Sequence, residues 1–274
     1  MRETADIETR LLLEAIFHRY GYDFREYNVS SIKRRFEQHF KEDKLNSISE
    51  MIPKVLHDRT YFNELLFDMS VTVTEMFRDP ELYRIVRERV VPTLQTYPFI
   101  NLWNAGCATG EEAYSMAILL HEEGLLSRSQ IYATDINMRS IEIAKRGIIP
   151  ISRMKHYTDN YNKAGGTRSL SDYFLSQYNG AKINNALKKT ITFSGHNLVM
   201  DGVFAEIHMI ICKNVLIYFN KQLQNKVLKL LTESLCLNGF LCLGDKESLE
   251  FTEVRKYYEV VDKEAKIYQK KFPF

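Results

Sequence analysis

Residues 99–124 read FINLWNAGCATGEEAYSMAILLHEEG: a short apolar run, a loop holding two glycines, then an amphipathic run. A strand that turns through glycines into a helix is the opening unit of a parallel α/β sheet, and it puts the loop where such sheets bind ligands. Gly106 and Gly110 let the backbone turn and approach a ligand closely. The loop contains no lysine, and neither GxGxxG nor GxxxxGK[ST] is present. Its helix begins instead with Glu111, an acid that the helix dipole favours at that position. A phosphate would be repelled there, whereas a ligand with an ammonium group would be welcome. Glu112, one residue further, is expected on a solvated face.

The same rhythm continues downstream. QIYATD (130–135) reads as a strand and NMRSIEIAKRG (137–147) as a helix. After them come strands in TITFSGHN (190–197) and IHMIICKN (207–214), a helix in NKQLQNKVLKLLTESL (220–235) and a strand in GFLCLG (239–244). YYEVVDKEAKIYQKKF (257–272) reads as a hairpin. The expected class is therefore α/β: a Rossmann-like, mostly parallel sheet over 99–274 with helices on both faces and an antiparallel C-terminal hairpin. Within it, the polar, tyrosine-rich stretch 148–190 is too long for a plain connection and is expected to form an inserted subdomain. Residues 1–75 read as a small helical domain, and 76–98 as a linker helix with Pro80 in its first turn. The second helix, SSIKRRFEQHFKEDK, starts at serine caps and has an apolar stripe of Ile32, Phe36 and Phe40; Lys33, Arg34, Arg35 and Lys41 occupy its other faces.

Composition excludes some classes of function. Among 274 residues the formal net charge is +2, which argues against a nucleic-acid binder. No apolar run approaches the roughly 18 residues of a membrane helix. The N-terminus MRETADIETR has no apolar signal region, so a cytoplasmic monomer is expected. The four cysteines show no CxxC spacing, so no metal is expected, and Cys212 and Cys242 read as small buried strand residues.

Asp135 ends the second strand where a carboxylate accepts ribose hydroxyls. A glycine loop with acids and a ribose-binding carboxylate describes a nucleoside with a positive, non-phosphate arm, and S-adenosylmethionine fits. The bland alternatives are a solvated first-turn acid for Glu111 and a helix cap for Asp135. Asn197, Asn214 and Tyr218 lie at other strand ends. Asn214 and Tyr218 have equally plain readings, as a turn cap and a half-buried core aromatic.

Several segments in order, TVTEMFRDP, NLWNAGCATGEEAYSMAILL, IYATDINMRSIEIAKRG, ITFSGHNL, IICKNVLIYFNKQLQNKVL and GFLCLGDKESL, closely resemble the CheR-type chemotaxis-receptor methyltransferases, which are protein-glutamate O-methyltransferases. The resemblance covers about 70–274, and the helical region matches in character. It implies an enzyme that uses S-adenosylmethionine, releases S-adenosylhomocysteine and turns glutamates of a chemoreceptor's cytoplasmic helical bundle into methyl esters. It assigns Thr72, Thr74 and Arg78 to the methyl-donor site, with Ala105, Glu111 and Asp135 on the loop and ribose side. Asn197 and Leu198 match an adenine-side pair, and Asn214, Val215 and Tyr218 match the family's Arg-Asn-Val-x-Ile-Tyr-Phe motif. Arg78 and Tyr218 are the candidate catalytic residues. Lys33, Arg34, Arg35 and Lys41 would dock the receptor, and the 148–190 insert corresponds to a β-subdomain that in some relatives holds a receptor's C-terminal pentapeptide. Departures are Lys213 for the usual Arg, Ala113 for Pro, Met76 for Phe, and GDKE at 244–247 in place of GHSE-like text. Competing readings are a chemotaxis-like pathway unrelated to motility, a non-catalytic S-adenosylmethionine-binding scaffold, and methylation of nucleic acid or a small molecule. KNVLIYF, standing where base-amine methylases carry NPPY, argues against nucleic acid.

Overall fold

A computed structural model describes residues 4–70, 74–177 and 180–274. Helices α1 (Thr4–Tyr20), α2 (Val29–Glu42), α3 (Met51–His57) and α4 (Arg59–Met69) open the chain. They share one core, to which α1 brings Leu12 and Ile16, α2 Ile32 and Phe36, and α4 Phe62 and Leu65. The cap of α2 is Asn28 and not the serines: its side chain accepts the N–H of Ser30. Asp58 caps α4 in the same way, accepting from Thr60 and Tyr61. Helix α5 (Pro80–Ile85) begins at Pro80, whose fixed φ suits that place, and runs through a π turn into α6 (Val91–Leu94).

The remaining elements alternate: β1 (Ile100–Ala105), α7 (Glu111–Glu122), β2 (Ser129–Asp135), α8 (Met138–Arg146), β3 (Ile148–Pro150), α9 (Ile151–Lys163), β4 (Phe174–Gln177), β5 (Gly180–Ile183), α10 (Asn185–Lys188), β6 (Ile191–Gly195), β7 (Ile207–Cys212), α11 (Lys221–Ser234), β8 (Leu235–Leu243), β9 (Tyr258–Asp262) and β10 (Ile267–Lys270). Seven strands form one sheet in the order β6-β2-β1-β7-β8-β10-β9. The first five of these are parallel, and β10 pairs antiparallel with both β8 and β9, as the predicted hairpin requires. Alternate side chains of each strand enter opposite cores. Leu102, Met209 and Ile211 face one layer, while Trp103, Ile210 and Cys212 face the α11 side. Cys212 and Cys242 are fully buried, as expected. This is the expected Rossmann-like, mostly parallel sheet with its antiparallel C-terminal edge. Strand order reverses at β1, with β2 on one side and β7 on the other, and the crevice above that reversal is where such sheets bind ligands.

Between β2 and β6, a separate three-stranded antiparallel sheet has the order β3-β5-β4. The stretch also contains α9, a helix the tyrosine-rich polar sequence does not announce, since it buries only Tyr157, Asn160 and Tyr161. Glu122, at the end of α7, anchors it. Its carboxylate accepts from the hydroxyls of Tyr161 and Tyr173, from Thr167 and from Arg87. Burial alone would raise this carboxyl, but those donors outweigh it and hold it below the ordinary glutamate range. No helix of the described residues is long and apolar enough to cross a membrane.

Candidate active site

A cavity of about 380 Å³ lies at the carboxyl ends of the parallel strands, within the size range of small-molecule sites. Its wall comes from the segments just after β1, β2, β6, β7 and β8, and from α2 and the end of α4 on the opposite side. Helical part and sheet thus enclose it together.

The loop after β1 is shaped by its glycines. Gly106 has φ +78, and a Cβ there would stand 2.4 Å from the Val215 side chain. Gly110 has φ +93, and a Cβ would stand 2.9 Å from Ala144. Asp135 holds this loop to the next one. One of its oxygens accepts the N–H of Ala108 and the other that of Asn137, both at 2.9 Å. Helix α8 is capped by Asn137. Asp135 is thus free of the capping role and keeps lone pairs for the cavity it lines. Burial pushes its carboxyl above the usual range, against the backbone N–H groups that pull it down.

Of the two acids of the loop, Glu112 departs from its expected setting. Glu112 is not on a solvated face: it is buried and lines the cavity. It accepts from the Asn104 side chain at 2.7 Å and lies 3.5 Å from the Lys213 ammonium. Glu111 is buried as well but is absent from the cavity wall, accepting from the Thr109 hydroxyl at 2.6 Å with Arg153 at 3.7 Å. Burial raises its carboxyl. Successive helical residues differ by about 100° in direction, so the left-handed turn at Gly110 decides which acid meets the cavity. Ala105 is fully buried in the α11-side core and takes no part in the wall.

Thr74 and Arg78 line the cavity, while Thr72 lies outside the described residues. Arg78 sits in a turn with two left-handed non-glycine residues, Phe77 (φ +51) and Asp79 (φ +58). Surrounding groups hold that turn. Phe77 N–H donates to the Ser115 hydroxyl at 2.9 Å, and the Asn160 amide donates to the Met76 carbonyl at 3.2 Å. Lys213 donates to the Arg78 carbonyl at 3.3 Å and pairs with Asp79 at 2.9 Å. Burial alone would lower the Lys213 ammonium, but Glu112 and Asp79 more than offset it, so it remains charged.

After β7 the chain turns sharply at Asn214, φ +58. Asn214, Val215 and Tyr218 all line the cavity. The carboxylate of buried Glu247 holds this turn, accepting backbone N–H groups from Asn214, Val215, Leu216, Ile217 and Gly244 at 2.7–3.3 Å. In the sequence Glu247 is only the last residue of the GDKE stretch at 244–247. Its one clue was an acid a few residues beyond a strand end, in register with another strand's loop. Asn197 and Leu198 line the adjoining wall, with the Asn197 side chain accepting from Val199 N–H at 3.0 Å.

The basic faces of α2 divide. Arg34 and Lys41 are exposed, and Lys33 pairs with Asp6 at 3.0 Å. Arg35 instead lines the cavity and donates to the Asp68 carbonyl at 2.5 Å. Burial raises the Tyr218 phenol, while the Arg35, Arg78 and Arg34 cations oppose that rise.

Residues 72–267 match the family described as CheR methyltransferase, SAM binding domain, and residues 7–70 match CheR methyltransferase, all-alpha domain. The sequence is 48% identical over 265 residues to "Putative methyltransferase Cher3" of Pseudomonas putida, covering 97% of each chain. It is 26% identical over 254 residues to "Chemotaxis protein methyltransferase 1" of Pseudomonas aeruginosa, covering 86% of each. With "Chemotaxis protein methyltransferase" of Listeria innocua it shares 24% identity over 231 residues, covering 84% of this chain and 85% of that one.

Proposed function

The chain belongs to the CheR methyltransferase family and takes its methyl group from S-adenosylmethionine, and from that premise we propose that it esterifies glutamate side chains of a chemoreceptor's cytoplasmic helical bundle. The observation that carries this reading is the polarity of the cavity. Asp135 is in its lining, and so are Arg78, Arg35 and Tyr218. The first suits a nucleoside's ribose; the others suit a carboxylate.

Bound S-adenosylmethionine supplies a methyl on a sulfonium, already activated for displacement. A glutamate with a pKa of about 4.3 is ionised at neutral pH, so the chain need not furnish a general base. Its residues have to align oxygen, methyl and sulfur. In this reading Asp135 accepts from the ribose, and Asn197 and Leu198 flank the adenine. Thr74, Asn214 and Val215 wall the donor. Of the two loop acids, Glu112 is the one that offers its carboxylate to the donor's ammonium, while Glu111 sets the loop through Thr109. Arg78 holds a carboxylate, and Tyr218 donates its phenol O–H to the acceptor. Transfer leaves S-adenosylhomocysteine and a neutral ester, so opposite charges vanish within a partly enclosed site.

Arg34 and Lys41 are the outward members of the docking face for an acidic helical bundle. The small sheet is assigned to a receptor's C-terminal segment: Ile148 and Leu175, both exposed, flank Lys182 in register across its strands. The test is methylation of a receptor cytoplasmic fragment beside the same fragment with its acceptor glutamates changed to glutamine. Label should disappear with the glutamates; equal labelling of both fragments would overturn the reading.

A further inference from the structure

A short clasp joins the helical part to the catalytic loop. Tyr27 forms an antiparallel bridge with Phe219. Beside it, Asn28 N–H donates to the Tyr218 carbonyl at 2.8 Å and Asn220 N–H donates to the Glu26 carbonyl at 3.0 Å. The Asn220 side chain also donates to the Glu26 carboxylate. The Tyr27 ring is pinned by its neighbours. It meets Phe24 and Phe219 edge-on, with centroids 4.9 and 4.8 Å away and planes at 76° and 71°.

So fixed, Tyr27 lines the same cavity as Asp135. Among the described residues its hydroxyl has no hydrogen-bond partner. Burial, and after it the nearby Asp135 carboxylate, raise the phenol above its ordinary value, so it is a protonated donor at any working pH. Asp135 spends one lone pair of each oxygen on the backbone and can accept more. A neutral donor and an anionic acceptor in the lining of one cavity suit a vicinal diol, whose hydroxyls donate to the carboxylate and accept from the phenol.

We propose that Tyr27 is a donor-site residue supplied by the helical part: its O–H donates to a ribose hydroxyl engaged by Asp135, and its ring covers the nucleoside. The helical part then completes the donor pocket in addition to any role in docking the acceptor. This rests on donor binding alone and stands whether or not the acceptor is a glutamate.

The test is calorimetry of Tyr27→Phe with S-adenosylhomocysteine and with its 2′,3′-dideoxy analogue, together with thermal unfolding of the unliganded protein. Removing the hydroxyl should weaken S-adenosylhomocysteine about tenfold, the scale of one hydrogen bond in a site of this kind. Affinity for the dideoxy analogue and the unliganded Tm should not change. Tyr27→Leu, which removes the ring, should weaken both ligands. An equal loss on both ligands in Tyr27→Phe, or no loss on S-adenosylhomocysteine, would overturn the assignment. Failure of the unmodified protein to bind S-adenosylhomocysteine would overturn the donor site as a whole, an outcome distinct from a failed glutamate assignment.

Discussion

Glu247 accepts the backbone N–H of Asn214 at 3.0 Å and thereby fixes a left-handed residue in the wall of the donor cavity. Four further N–H groups converge on the same carboxylate, and a Cβ at Gly244 would come within 2.8 Å of it. Glu247→Ala would leave a buried turn with unpaired donors. Stability should fall by about 3 kcal/mol, the upper range for hydrogen bonds to a charged group. Affinity for S-adenosylhomocysteine should fall at least about tenfold, because the turn carries Asn214 and Val215. Denaturant unfolding and calorimetry read the two effects; an intact affinity would show that the turn holds itself.

Lys213 and Arg78 should behave as a unit. Arg78→Ala is expected to slow methyl transfer by about a hundredfold, typical of lost positioning. Lys213→Met removes the cation that holds the Arg78 carbonyl and leaves Glu112 and Asp79 without their shared partner, so it should approach the same loss. Lys213→Arg should retain most activity. Single-turnover rates at saturating donor decide it, and a fully active Lys213→Met would mean that the Phe77–Asp79 turn is kept by Ser115 and Asn160 alone.

The parts legible in the sequence were those that obey a local period. Strand β1, the glycine loop, helix α7 and Asp135 at the end of β2 followed from alternation, from glycine's freedom and from strand order. What local period does not reach is tertiary. The choice between Glu111 and Glu112 depends on the left-handed turn at Gly110, which spacing does not fix. Helix α9 was hidden because it packs polar tyrosines and an asparagine instead of an apolar stripe. Glu247 and Tyr27 acquire their roles only when distant segments meet. Arg35 looked like its neighbours on a basic helix until the fold turned it inward.

That division of α2 separates two variants. Arg34→Glu, on the exposed face, should weaken methylation of a receptor fragment and reduce its salt dependence while sparing donor binding. Arg35→Glu should also disturb donor binding, since its side chain lines the cavity. If both variants lost donor affinity equally, the outer face would not be a separate docking surface.

Glu122 predicts a pH dependence. Its folded-state pKa is lowered from the ordinary value of 4.5, chiefly because the Tyr161 and Arg87 side chains outweigh burial. A depressed carboxyl adds stability that is complete above its unfolded pKa and is lost as pH falls through the folded one. Glu122→Gln should therefore be less stable than the parent at pH 7, with the difference shrinking below pH 4.5. Thermal unfolding across that window reads it; a difference that does not change with pH would deny the ion pair's part.

The most direct measurement is the chemistry of the transferred methyl group. The protein is incubated with methyl-labelled S-adenosylmethionine and a chemoreceptor cytoplasmic fragment, and the labelled fragment is then exposed to mild base. A glutamate methyl ester releases its label as methanol, and peptide mass spectrometry before base treatment places the added methyl on glutamates. Label that survives base, or that maps to lysine or arginine, would contradict glutamate esterification while leaving the donor site intact.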